Sequence, residues 1–172
     1  MALWQRTLAC GLLLLALTGG PAVAQIDPQF GVGVQMMGST TLESAGPGLQ
    51  VRTSIPLTYD LSVAFGGAFT GYPFAGGNRT VYAFDPEANF VITLIGPPET
   101  APYLLSGVGY HLPIGSVEGR YEEVNSGPTF HFGIGKVWVS KSVSYFVEAT
   151  PTLFFRRHRT DVLMPLRVGI IF

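Results

Sequence analysis

"MPLRVGIIF", residues 164–172, is the stretch of sequence that decides the fold. Apolar side chains occupy every second position of this stretch: Met164, Leu166, Val168, Ile170 and Phe172. Alternation with a period of two predicts a β-strand that turns one face toward an apolar environment. The apolar face of such a strand must contact either a protein core or the hydrocarbon of a membrane.

The chain is rich in apolar residues and poor in charged ones. Of 172 residues, 47% are hydrophobic and 12% are charged, against about 25% charged in ordinary soluble domains. The net charge of −1 gives no basic surface for nucleic acid, so we expect no nucleic-acid partner. The length predicts one domain.

Residues 1–24 have the pattern of a secretory signal peptide. Arg6 supplies a positive start, Leu8–Leu17 form a short apolar core, and Ala22-Val23-Ala24 is an A-x-A cleavage site. The alternative is a buried N-terminal helix. Cleavage after Ala24 would leave a domain of residues 25–172 without cysteine, because the one cysteine is Cys10.

The rest of the chain shows repeated period-two alternation, broken by Gly, Pro, Asn and Ser clusters. Most of the runs reach the 9–11 residues that a tilted strand needs to cross a bilayer. Apart from the last connection, 156–159, which is short, long connections are expected after the odd strands and short ones after the even strands, as in up-and-down membrane barrels. The eight runs are 29–38, 48–57, 60–70, 80–95, 102–112, 128–139, 143–155 and 162–172.

The two faces of these strands differ in side-chain size. In the second run, Leu49 and Val51 are on one face of the strand and Arg52 is on the other. In the third run, Phe65 and Phe69 are on one face and small residues are on the other. A soluble barrel places its large apolar residues inside, whereas here the polar sets are too small to make a water-facing surface. The pattern therefore predicts an all-β, eight-stranded antiparallel transmembrane barrel, closed by pairing of the last strand with the first, since hydrocarbon cannot satisfy an open sheet edge.

Two segments carry a resemblance to a known family. The terminal strand and the stretch "FHFGIGKVWVSKSVSYFVEATPTLFF", residues 130–155, resemble small bacterial outer-membrane β-barrel proteins of the OmpA-like and opacity-like kind. The resemblance implies an outer-membrane location, contact with outer-membrane lipid, and a monomer. It also implies that the barrel assembly machinery reads a C-terminal signal, here Val168, Ile170 and Phe172.

Six polar residues are expected inside the barrel: Arg52, Asp85, Glu87, His131, Glu148 and Arg167. Antiparallel pairing around the 156–159 turn places Glu148 beside Arg167. Because eight strands leave a lumen just wide enough for side chains, we expect these charges to form a structural salt-bridge network. A proton or ion path, or a small ligand pocket, is the alternative. No spacing of metal ligands occurs, and no cofactor is expected.

Other polar and aromatic groups are assigned to the rims of the barrel. Arg156, Arg157 and Arg159 at the outer end of the seventh strand are candidates to bind lipopolysaccharide phosphates; a solvated loop is the alternative. Aromatic residues are expected at the two membrane interfaces. The inner set is Tyr59, Tyr103, Trp138, Tyr145 and Phe172, and the outer set is Tyr72, Phe74, Phe130 and Phe155.

The expected function is that of an integral outer-membrane protein with a structural or surface-interaction role and a lumen closed by side chains. A lipid-modifying enzyme of the same fold is one alternative, and a soluble lipocalin-like carrier is another. Outer-membrane deacylases pair a His with a Ser two residues later. His111, His131 and His158 lack that Ser, so we expect no enzymatic activity.

Overall fold

The computed structural model describes residues 28–40, 44–73, 80–94, 100–114, 126–140, 143–156 and 160–172. The predicted signal peptide, residues 1–24, lies outside these residues, as do Phe74, Arg157 and Arg159. Within the described residues, no helix is long and apolar enough to span a membrane.

The described residues contain nine strands, numbered here in chain order. They are β1 Gln29–Ser39, β2 Ser44–Pro56, β3 Leu61–Pro73, β4 Thr80–Thr93, β5 Thr100–Ile114, β6 Gly127–Trp138, β7 Ser144–Ala149, β8 Thr152–Phe155 and β9 Thr160–Ile171.

The strands form one closed antiparallel barrel with eight walls. β7 and β8 are two pieces of a single wall, because both pair with β6 on one side and with β9 on the other. β9 pairs with β1, from Gly31↔Ile171 to Ser39↔Leu163, which closes the sheet. The predicted eight-stranded up-and-down barrel is therefore confirmed.

Proline explains why the seventh wall is split. Pro151 lies in the gap between β7 and β8, where its missing N–H interrupts the ladder. Pro165 stays within β9 because its carbonyl still accepts a hydrogen bond, at 3.1 Å, from the N–H of Thr150.

The outward positions are apolar and exposed, as the alternation predicted. Leu49 and Val51 on β2 are 65% and 60% exposed, and Phe65 on β3 is 52% exposed. On the same strands Gln50 and Thr70 point inward and are buried. Large apolar side chains on the outside and polar ones on the inside are the reverse of a soluble barrel and suit a hydrocarbon environment.

The predicted alternation of loop lengths is wrong for the first connection. Residues 44–47, "SAGP", were expected in a long loop before the run 48–57, but they belong to β2 and pair with β1 up to Ser39↔Ser44. The backbone hydrogen bonds of the ladder outweigh the weak strand preference of Gly and Pro. The connection between β1 and β2 therefore spans only 40–43. The longest connection is 115–126, between β5 and β6.

Two of the predicted interfacial aromatics are instead part of the interior. Tyr72 is 1% exposed and Tyr103 is 3% exposed. Tyr103 fits inside because Gly135, its cross-strand partner on β6, leaves the space that its ring occupies. The other described members of the two sets are exposed, as expected for girdle residues: Tyr59, Phe130, Trp138, Tyr145, Phe155 and Phe172.

The seam that closes the barrel is built on a glycine pair. Gly33 on β1 lies opposite Gly169 on β9, and the buried ring of Phe146 covers both from the lumen side. An added Cβ on Gly169 would lie 2.6 Å from Cε1 of Phe146 and 2.7 Å from Cα of Gly33. Both positions therefore need glycine for close approach rather than for an unusual backbone angle.

Candidate functional site

Glu148, on β7, is the centre of a polar network inside the barrel. Its side chain is 1% exposed and accepts four hydrogen bonds. Oε2 accepts from Arg52 at 2.8 Å and from the hydroxyl of Tyr103 at 2.9 Å. Oε1 accepts from Arg167 and from the hydroxyl of Thr150, each at 3.1 Å. A buried carboxylate requires this degree of satisfaction to remain ionised.

Arg167, on β9, joins Glu148 to the opposite side of the lumen. Two of its guanidinium nitrogens donate to the two oxygens of Glu87 on β4, at 2.8 Å each. Its Nε donates to the side-chain oxygen of Gln35 at 3.1 Å. The Gln35 amide in turn donates to the hydroxyl of Thr70 at 2.6 Å. Bidentate pairing of a planar guanidinium with a carboxylate is strong and directional.

Arg52, on β2, completes the network toward the end of the barrel where the chain termini lie. Besides its ion pair with Glu148, its guanidinium carbon lies 4.3 Å from the ring centre of Phe146. This ring is the one that covers the glycine seam. An added Cβ on Gly31 would lie 3.2 Å from Cγ of Arg52. The arginine therefore combines an ion pair with a cation–π contact where glycine leaves it room.

Together these contacts tie seven of the eight walls to one another across the lumen. The network comprises Gln35, Arg52, Thr70, Glu87, Tyr103, Glu148, Thr150 and Arg167, from β1, β2, β3, β4, β5, β7 with the gap that follows it, and β9. Its two arginines and two glutamates balance in charge. A charge-balanced, hydrogen-bonded group of this kind crosses the lumen and connects its walls.

The other two sequence-predicted lumen residues form separate pairs. Asp85 Oδ1 lies 2.5 Å from Nδ1 of His111 on β5. His131 Nε2 lies 2.5 Å from the side-chain oxygen of Asn89. All four residues are buried. The structure thus brings Arg52, Glu87, Glu148 and Arg167 together and places the remaining two predicted residues outside that network.

Sequence reasoning missed several inward groups. Tyr103 and His111 lie on β5, whose apolar residues fall on both faces, so that alternation sets no phase for this strand. Gln35 is neutral and carries no charge signal. The alternation of strand three does place Thr70 on the inward face, but Thr70 was not counted among the six polar residues of the lumen. Within the described residues, no group of three or more His, Cys, Asp or Glu side chains is arranged to hold a metal ion.

The rim residues predicted from sequence are placed as follows. Arg156 forms an ion pair with Asp161 across the turn that joins β8 to β9. Phe172 extends the closing ladder: its N–H and carbonyl bond to the carbonyl and N–H of Phe30, at 2.9 and 3.0 Å. Val168 and Phe172 are exposed on the outward face, and Ile170 follows them in alternation.

No family model matches this sequence, and no curated protein matches it either. Solved structures do match. Neisserial surface protein A aligns with a TM-score of 0.66 at 11% identity, over 84% of this chain and 94% of that protein. Ail, the attachment invasion locus protein of Yersinia pestis, gives 0.53 at 15% identity, over 84% and 97%. The outer membrane enzyme PagL gives 0.56 at 13% identity, over 83% and 98%.

The chain has the fold of a small bacterial outer-membrane β-barrel. Identities of 11–15% show this fold and no more, since one barrel architecture carries many functions. The outer-membrane barrel fold also accounts for the outward apolar surface and the closed seam, which are needed when no water reaches the backbone.

Proposed function

We propose that this barrel is an integral protein of the bacterial outer membrane, monomeric, with a structural or surface-interaction role and no open pore. The observation that carries the proposal is the neutral network of Arg52, Glu87, Glu148 and Arg167, which fills a lumen already limited to eight walls. A braced, plugged barrel is suited to stabilising the envelope and to presenting its outer loops.

Membrane fractionation combined with heat-modifiable gel migration tests the location. The protein is expected in the outer-membrane fraction and to migrate faster when unheated, because a closed barrel resists detergent at room temperature. Recovery as soluble periplasmic protein would instead support the lipocalin-like carrier. The exposed Leu49, Phe65 and Phe69 argue against that carrier, since they would face water in a soluble protein.

Planar-bilayer conductance and liposome swelling test the plugged lumen. The parent protein is expected to give no stable, large, porin-like steps, and liposomes that contain it should not swell in small sugars. A variant with Glu87→Ala and Arg167→Ala lacks the ion pair that these two residues form across the lumen, and it serves as the matched comparison. Large, reproducible channels from the monomeric parent protein would reject the plugged barrel and favour transport.

The structural likeness to PagL keeps a lipid-modifying enzyme as the competing proposal. His111 and Asp85 form an imidazole–carboxylate pair, but both are buried and no hydroxyl among the described residues hydrogen-bonds to His111. An acyl-transfer mechanism needs such a nucleophile beside its base. We therefore propose no enzymatic activity. Mass analysis of lipid A from cells with and without the protein should show identical species; a new or missing acyl chain would support the enzyme.

The outer surface is proposed to meet lipopolysaccharide, and the terminal strand to be read by the barrel assembly machinery. Arg156 already pairs with Asp161, so its charge is partly compensated and most of the proposed phosphate contact falls to Arg157 and Arg159. The assembly proposal is supported by the exposed, alternating residues of β9 and by the pairing of Phe172 with Phe30.

A further inference from the structure

Lys136 is a charged residue on the outward face of the barrel, which is otherwise apolar along β6. It follows Phe132 and Ile134 in the outward series of β6, which are 52% and 58% exposed, and it is exposed itself. Every other charged side chain in the described strands points into the lumen. A lysine on a lipid-facing surface is costly near the bilayer centre and tolerated only near an interface.

The position of Lys136 meets that requirement. It lies two residues before Trp138, the last residue of β6, and therefore about 7 Å from the strand end. The longest connection, 115–126, lies at the opposite end of the barrel. Because the longer loops of such barrels are extracellular, the end that carries Trp138 is the periplasmic one. A lysine side chain at this depth reaches the headgroup region by extending its ammonium toward it.

The surroundings of Lys136 leave its charge available. The ammonium lies 5.3 Å from the ring centre of Trp138, and its cross-strand neighbours are Pro102 and Val147, which are both apolar. No carboxylate pairs with Lys136 among the described residues. A cation held over an indole at the membrane interface, without a protein anion, is matched in charge to an anionic lipid headgroup.

An apolar groove runs along the outside of the closing seam, and two neighbours of this lysine, Trp138 and Val147, line it. Its volume is about 590 Å³, within the size of small-molecule sites. Trp138 and Tyr145 border it at the periplasmic end, and valine side chains from β1, β7 and β9 line its body: Val32, Val34, Val147 and Val168. Short aliphatic side chains make a channel in a surface that elsewhere carries bulky phenylalanines.

We propose that this groove is a binding site for an anionic glycerophospholipid of the periplasmic leaflet. The Lys136 ammonium binds the headgroup phosphate, Trp138 and Tyr145 flank the glycerol region, and an acyl chain lies in the valine groove. The proposal rests on the proposed insertion of the barrel into a membrane. Lys136 and the groove lie outside the lumen network, so the site is independent of the plugged lumen.

Fluorescence quenching by brominated lipids tests the site, because its own tryptophan is the reporter. The chain has two tryptophans, Trp4 and Trp138, so Trp4→Phe leaves Trp138 alone. This protein is folded into phosphatidylcholine vesicles that contain one tenth brominated phosphatidylglycerol or, for comparison, one tenth brominated phosphatidylcholine. We expect about fivefold preferential binding of the anionic lipid, from one lysine near the surface, and a smaller preference at high salt.

Three variants separate the charge of Lys136 from the shape of the groove. Lys136→Gln should abolish the preference for phosphatidylglycerol, and Lys136→Arg should keep it. Val147→Phe should weaken quenching by filling the groove while leaving the lysine in place. Heat-modifiable migration confirms that each variant is folded before it is compared, and the salt dependence of the parent protein tests the charge without any substitution.

The outcomes distinguish this proposal from the proposed function. Equal quenching of the inserted parent protein by the two brominated lipids would overturn the lipid site while leaving the barrel proposal intact. A preference that survives Lys136→Gln would overturn the role of Lys136. Failure of every brominated lipid to quench Trp138, with no heat-modifiable band, would instead reject insertion itself.

Discussion

Arg167 on β9 and Glu87 on β4 form a bidentate ion pair across the lumen, with both N–O distances at 2.8 Å. β4 and β9 are not neighbours in the sheet, so no backbone hydrogen bond connects these two walls. The pair is therefore a strut between distant parts of the barrel. It is continuous with the Arg167–Glu148 and Arg52–Glu148 pairs.

We predict strong coupling between Glu87 and Arg167 in a double-mutant cycle. Glu87→Ala and Arg167→Ala should each lower the free energy of unfolding by about 3–5 kcal/mol, because each leaves a buried charge with fewer partners. The double variant should lose less than the sum of the two. Urea unfolding in lipid vesicles measures all three. Asp60→Asn, in the exposed 57–60 turn, is the control and should shift stability by less than about 0.5 kcal/mol; strictly additive losses would contradict the strut.

Replacement of Glu148 should be more damaging than the removal of any single neutral hydrogen bond to it. Glu148→Ala leaves Arg52 without its carboxylate and leaves Arg167 with one carboxylate, that of Glu87, besides Gln35. The expected cost is about 3–5 kcal/mol. Tyr103→Phe removes one hydrogen bond to a charged group, worth about 1.5–3 kcal/mol, and keeps the ring over Gly135. Unfolding midpoints of the two variants under identical conditions give the order. If Tyr103→Phe is the more damaging change, Glu148 is not the centre of the network.

The glycine seam predicts a position-specific effect of one methyl group. Gly169→Ala brings its Cβ against the backbone carbonyl of Val32 and to 2.6 Å from the Phe146 ring, and it should cost about 1–3 kcal/mol through overpacking. Gly38→Ala, on the same seam, meets no atom nearer than 3.9 Å and is the matched control. The fraction of heat-modifiable folded barrel after refolding reports the difference. Equal yields from the two variants would show that the seam tolerates a side chain at Gly169.

The hydroxyl of Tyr72 should be dispensable, unlike that of Tyr103. It is buried without a hydrogen-bond partner among the described residues, so it carries a desolvation penalty of about 1–3 kcal/mol. Tyr72→Phe is therefore expected to leave stability unchanged or to raise the unfolding midpoint. A clear loss would reveal a partner for this hydroxyl, such as a buried water between Tyr72 and the unpaired Oδ2 of Asp85.

Two changes at Phe172 separate its ring from its backbone. Deletion removes both the exposed ring and the two hydrogen bonds to Phe30, whereas Phe172→Ala removes only the ring. If the ring is part of the assembly signal, both variants should show reduced outer-membrane levels and periplasmic accumulation in cell fractionation. Normal insertion of Phe172→Ala together with failure of the deletion would assign the effect to strand pairing instead.

Period-two alternation by itself determined the architecture and the direction of most side chains. Leu49, Val51 and Phe65 were predicted to point outward from the barrel, and they are exposed on its outer face. The Glu148–Arg167 pairing also followed from sequence, because the short 156–159 connection sets the register of the hairpin. These are local consequences of chain geometry, and they need no knowledge of distant strands.

The tertiary structure alone decided what crosses the lumen. On β5, apolar residues occur on both faces, so sequence could not set the phase that turns Tyr103 and His111 inward. The predicted strand bounds 80–95 and 102–112 pair Asp85 with Leu112 across the hairpin, whereas the structure brings Asp85 to His111. The predicted register is thus wrong by one residue, and such a shift moves the side chains of a strand to the opposite face of the sheet. The Arg167–Glu87 contact depends on closure of all eight walls and on the stagger of β4 against β9. That relation exists only once the barrel is complete, because two strands far apart in the sheet share no register until the sheet closes.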